Sequence, residues 1–155
     1  MILLNILGTI CDGGLFSKIL VPVDGSEVSF RALDAALFIS EKLGSDITVV
    51  HVIENVPTVY IESQKLLDEL LNAYRGEGQK ILDKCLEIAK KKGITINMSL
   101  LQGSPASTIL GFAEKENFNA ITIGSSGIGG FKGMLLGSVS SKIINHSSHP
   151  VLLIK

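Results

Sequence analysis

No tryptophan occurs in this 155-residue chain, and it has only two tyrosines and six phenylalanines. A surface that stacks the bases of a nucleic-acid strand needs more planar side chains than that. Positive charge is not in excess either. Fourteen Lys and Arg stand against fifteen Asp and Glu, giving a net charge of −1 and no basic footprint for nucleic acid. Two cysteines, Cys11 and Cys85, are too few for a disulfide framework, and neither has a neighbouring cysteine to share a metal. Free thiols in a reducing cytoplasm are the expectation. The apolar start from Met1 to Leu7 lacks a basic leader and is far too short to cross a bilayer, so no membrane partner is expected. His146 and His149 lie close together without a third metal ligand and read as surface residues. No Ser/His/Asp or Cys/His set can be picked out by spacing, and no carboxylate pair suggests general acid–base work.

What is present is a hydrophobic fraction of 46%, enough for one domain with a proper core. Apolar runs alternate with segments of helical periodicity. Lys18-Ile-Leu-Val-Pro-Val-Asp24 reads as a strand covered on both faces, with Pro22 near its end. Ser29 to Leu43 reads as a helix capped by Ser26 or Ser29 and stopped by Gly44. Asp46 to Ile53 is a second strand, with His51 a packed strand residue. Glu54 to Ile61 is a loop. Ser63 to Lys92 is helical, and Gly76 and Gly78 predict a break or bend in its middle. Cys85 on this helix is expected in the core. Ile94 to Leu101 alternates like an edge strand. Ser104 as cap and Pro105 as first residue open a helix that reaches about Asn117. Ala120 to Gly124, Gly137 to His146 and Pro150 to Lys155 complete a strand, a helix and a last strand. This β-α alternation predicts an open parallel sheet with helices on both faces.

Glycine is plentiful at one place. After the strand Ala120-Ile-Thr-Ile-Gly124 the chain carries Gly127, Gly129, Gly130 and Gly133 before a helix begins near Gly137-Ser138. Strand, glycine-rich loop and helix start form an arrangement suited to phosphate. Glycines admit an anion close to the backbone, and the helix start offers unpaired N–H groups. The spacing is Gly124, two residues, Gly127, nine residues, Gly137-Ser138. A Walker A loop would need Gly-Lys-Ser/Thr after its second glycine, and a dinucleotide fingerprint would open a helix directly after the strand; neither is present.

With Val21-Pro-Val-Asp24-Gly-Ser near the start and His149-Pro-Val-Leu-Leu-Ile at the end, this spacing resembles the ATP-binding form of the universal stress protein family. The likeness covers residues 17–155 as one domain, with residues 1–16 an appended extension. It implies a three-layer α/β/α sandwich whose five-stranded parallel sheet has the order 3-2-1-4-5, a Rossmann-like fold akin to the adenine nucleotide alpha hydrolases. It implies ATP, accompanied by Mg²⁺, at the point where strand order reverses. The residues that match the family's nucleotide contacts are Pro22, Val23, Asp24, Val52, Ile123, Gly124, Gly127, Gly129, Gly130, Gly137, Ser138 and Val139. Asp24 could hold a ribose hydroxyl or a phosphate-bound Mg²⁺, or simply cap a turn. Ser138 could reach a phosphate or cap its helix. Lys132 reads as a solvated loop charge. The resemblance further implies a cytoplasmic regulatory or stress-response switch with no evident catalytic residue, and a homodimer through the last strand, Val151 to Lys155. A slow ATPase or nucleotidyl-transfer enzyme, and a partner-binding module with a vestigial site, are the alternatives.

Overall fold

The computed structural model describes residues 14–55, 63–128 and 136–155. A turn at Gly14, closed by the Ser17 N–H donating to the Gly14 carbonyl at 2.9 Å, leads into the domain. The elements are β1 (Lys18–Pro22), α1 (Glu27–Leu43), β2 (Asp46–Ile53), α2 (Gln64–Lys91), β3 (Asn97–Gln102), α3 (Pro105–Lys115), β4 (Ala120–Gly124), α4 (Ser138–His146) and β5 (Val151–Ile154). All pairings are parallel and the sheet order is β3-β2-β1-β4-β5. The predicted order and layers are those observed.

The central strand explains the layering. Ile19, Leu20 and Val21 have no exposed surface at all. Successive side chains of a strand point to opposite faces. Ile19 and Val21 therefore pack with Leu33 and Leu37 of α1 and Leu82 and Cys85 of α2, whereas Leu20 joins Ile109 of α3 and Ile143 of α4. A strand buried on both faces must be apolar at nearly every position, which is why β1 reads as an unbroken run. Pro22 is its last residue, where its missing N–H costs no central ladder bond.

Helix ends follow local chemistry. The Ser26 hydroxyl accepts from the Ser29 N–H at 3.1 Å, and α1 starts at Glu27, two residues before the predicted start. Gly44 ends the helix at φ 72°, a left-handed conformation that costs glycine nothing. Pro105 opens α3 as expected, but Ser104 caps it by position alone, without a side-chain hydrogen bond. β3 begins three residues after the expected Ile94 and lies at the sheet edge.

The expected break in the long helix is not observed. α2 is a continuous helix of 28 residues, with no break at Gly76 or Gly78. Its second half is anchored to the sheet by Leu82, Cys85 and Ala89, and packing of that kind outweighs the propensity cost of two glycines. Gly78 is itself buried, close against His51 and Leu100. Cys85 is fully buried, as expected, and burial pushes its thiol up to about 12. At the other sheet edge, all four residues of β5 are only partly covered.

Candidate functional site

In an open α/β sheet, ligands bind outside the carboxyl ends of the strands where the strand order reverses. Here the reversal lies between β1 and β4, and a cavity of about 860 Å³ opens above their ends. This is within the range of a small-molecule site. Ten of the residues singled out in the sequence line it: Pro22, Val23, Asp24, Val52, Ile123, Gly124, Gly127, Gly137, Ser138 and Val139. Gly129, Gly130 and Lys132 lie outside the described residues.

Asp24 stands at the centre. It follows β1, and its carboxylate joins two segments that are far apart in the chain. Oδ1 accepts from the Ser26 N–H at 2.9 Å, closing a tight turn ahead of α1. Oδ2 accepts from the Ile128 N–H at 3.0 Å, across 104 positions of sequence. Gly127 is shaped by the same contact. A Cβ there would collide with Asp24 Oδ2, so the loop comes this near the carboxylate only because it carries glycine. Gly124 answers to a different neighbour. A Cβ on it would come within 3.0–3.1 Å of Val28, backbone included, so glycine lets the end of β4 lie against the first turn of α1.

The start of α4 is held by a second serine. Ser125 accepts through its carbonyl from the Gly137 N–H at 2.7 Å and from the Ser140 hydroxyl at 2.8 Å, while its own N–H donates to the Ile154 carbonyl at 2.7 Å. Three chain segments thus meet at Ser125. Gly137 is the N-cap of α4 and makes no side-chain capping bond, and Ser138 is the first helical residue. The first N–H groups of a helix have no acceptor within it. The helix thus starts at the cavity that Ser138 and Val139 both line, with no side-chain cap from Gly137. The positive end of the helix dipole lies at the same spot. The amide of Gly137 is already engaged by Ser125, so its place in the motif is structural as well as spatial.

His51 packs close to Gly78 of α2 and also lines the cavity. Val23 offers a carbonyl, which can only accept, so the His51 Nδ1–H donates to it at 2.8 Å and ties β2 to the end of β1 beside Asp24. Sequence reasoning did not reach several lining residues. Glu54 and Asn55 follow β2, Tyr74 and Glu77 come from α2, and Ile128 forms part of the rim. Tyr74 and Glu77 gave no local signal, because what brings them to the cavity is the way α2 packs. Among the described lining residues Asp24, Glu54 and Glu77 are acidic and none is Lys or Arg. The described residues hold no group of three or more His, Cys, Asp or Glu able to bind a metal by themselves. No helix among them is long and apolar enough to cross a membrane.

The arrangement is that of an α/β/α sandwich protein with a crevice at its switch point. A family model described as the universal stress protein family matches residues 15–155. The chain belongs to that family. It is 38% identical over 149 residues to universal stress protein YxiE of Bacillus subtilis, an alignment covering 91% of this chain and all of that one. The solved structure of the Methanocaldococcus jannaschii protein MJ0577 superposes with a TM-score of 0.80 at 28% identity, covering 91% of this chain and 96% of that one. A universal stress protein from Archaeoglobus fulgidus, solved in complex with dAMP, shares the fold with a TM-score of 0.64 at 24% identity, over 91% of this chain and 99% of that one.

Proposed function

We propose that this protein binds an adenine nucleotide, ATP with Mg²⁺, in the crevice above β1 and β4 and acts as a nucleotide-dependent regulatory switch in the cytoplasm. The observation that carries this reading is the junction at Asp24. There the carboxylate, the entry of the glycine loop and the uncapped start of α4 line one cavity. A carboxylate suits ribose hydroxyls, and free amides at a helix start suit phosphate. The Gly124–Gly127–Gly137-Ser138 spacing supports ATP in particular, and the A. fulgidus protein of the same fold was solved in complex with dAMP.

Mg²⁺ fits the residues present. Asp24, bonded to the entry of the glycine loop, would repel a bare triphosphate, so an ion that accompanies the phosphates would offset that repulsion. Mg²⁺ typically takes one or two carboxylates together with phosphate oxygens and water. In this reading the Asp24 carboxylate would share that ion. Isothermal titration of ATP with and without Mg²⁺ tests the reading. Sub-millimolar affinity that strengthens with Mg²⁺ is expected, and no binding at millimolar Mg·ATP would defeat it.

The same reading includes a homodimer. β5 leaves a row of N–H and C=O groups on its outer side unpaired by β4, and its four apolar residues are partly open. An edge of this kind invites a second strand. Antiparallel pairing of two copies through Val151 to Lys155 would cover it. Analytical ultracentrifugation at micromolar concentration is expected to give twice the chain mass, and Leu152→Lys to shift the boundary towards one chain mass. A single-chain mass for the unmodified protein would remove the dimer from the proposal.

A further inference from the structure

We infer that Tyr74 of α2 is the surface against which the base of the bound nucleotide stacks. The inference rests on the nucleotide reading and adds the residue that would recognise the planar part of the ligand.

The geometry runs across the sheet. The uncapped start of α4 and the glycine loop lie at the β4 end of the cavity, and Asp24 lies in the middle, after β1. The far end, over β2, is lined by Val52 and Ile53 of the strand and by Tyr74 of the helix facing it. The order of surfaces is therefore amide, carboxylate, and then a mixed end where Val52, Ile53 and Tyr74 stand with Glu54, Asn55 and Glu77. Phosphate, sugar and base follow each other in that order along a nucleotide, and the strand order β4-β1-β2 lays them out in the same sequence.

Tyr74 is the only Phe, Tyr or Trp among the described lining residues, and 47% of it is exposed. Its position is set by Gly78, four residues on and on the same helix face. The absence of a side chain at Gly78 lets α2 settle against His51 and Leu100. One helical turn, about 5.4 Å, carries the helix from there to the level of the strand's carboxyl end. Tyr74 therefore reaches the cavity wall where β2 stops, with about half of the residue exposed. An aromatic side chain can bind a purine through its face whatever the base's hydrogen-bonding edge, so the contact adds affinity for bases in general.

The test compares wild type, Tyr74→Phe and Tyr74→Ala as full-length proteins, by calorimetric titration with AMP, Mg·ATP and Mg·tripolyphosphate. Tyr74→Phe is expected to stay within about twofold of wild type for all three. Tyr74→Ala is expected to lose roughly fivefold to a hundredfold in affinity for AMP and Mg·ATP, the range that stacking of one base supplies. It is expected to bind tripolyphosphate as wild type does, because that ligand has no base. A merely structural loss would weaken all three ligands alike. The chain has no tryptophan and two tyrosines, so tyrosine emission gives a second readout. AMP should quench it in wild type and quench it far less in Tyr74→Phe. Tyr74→Ala binding AMP as tightly as wild type would overturn the inference while leaving nucleotide binding intact. Wild type binding tripolyphosphate but not AMP would also overturn it, and wild type binding none of the three would remove the nucleotide reading and this inference together.

Discussion

An Asp24→Ala protein is expected to bind Mg·ATP roughly tenfold to a hundredfold more weakly than wild type. The carboxylate accepts from the Ser26 and Ile128 amides, and each of its oxygens keeps capacity for a further partner. Hydrogen bonds to a charged group contribute about 1.5–3 kcal/mol, and 1.4 kcal/mol is a factor of ten in affinity. Removing the side chain takes away the proposed ligand contact and also releases the Ile128 amide, so the loop entry loses its anchor. Asp24→Asn should fall between the two. Its carbonyl oxygen can satisfy one backbone N–H, but its NH₂ group then faces the other donor. Calorimetry reads the affinities, and a thermal melt checks that the fold survives. Asp24 is only half-buried and its partners lie at the surface end of the sheet, so the melt should move little. If Asp24→Ala bound Mg·ATP within twofold of wild type, the carboxylate would have no part in holding the ligand.

The second large effect concerns stability and separates two glycines of one helix. Gly76→Ala is expected to stabilise the protein by about 0.5–1 kcal/mol, because alanine favours a helix interior over glycine and nothing lies within 4 Å of the added carbon. Gly78→Ala gains the same propensity, but its Cβ would sit 2.7 Å from Leu100 Cδ1 and 2.8 Å from His51 Cδ2. The leucine tip can swing aside. The imidazole is held by its bond to Val23, so it must either give up that bond or push the helix away. Overpacking of this kind costs about 1–3 kcal/mol. The two variants should therefore differ by that amount, and a domain of this size melts about 2–4 °C lower per kcal/mol lost. Equal melting temperatures for the two would mean that α2 is not seated on β2 as described.

These glycines also mark how far the sequence can be read. β1, β2 and β4 are legible because a strand covered on both faces must be apolar throughout, and their bounds emerge within a residue or two. The switch-point crevice is legible because topology alone places the end of β1 beside the end of β4. The continuity of α2 is not legible, because glycine carries a local cost that can be read from the chain, whereas its compensation comes from β2 and β3. The Asp24–Ile128 bond is half legible. The fold predicts that the two segments meet, but not that the carboxylate takes the Ile128 amide at the entry of the glycine loop. Tyr74 leaves no trace in the sequence, since its position depends on a close approach one turn away.

The sulfur of Cys85 carries a consequence of its own. Peroxide and disulfide reagents react with thiolates they can reach. This thiol is closed off between α2 and the sheet, and its proton is held until pH approaches about 12. In the native protein at neutral pH it offers oxidants neither the charge nor the access they need. An oxidative insult would reach it only after the helix had lifted away, so a modified Cys85 would record prior unfolding and not a redox signal.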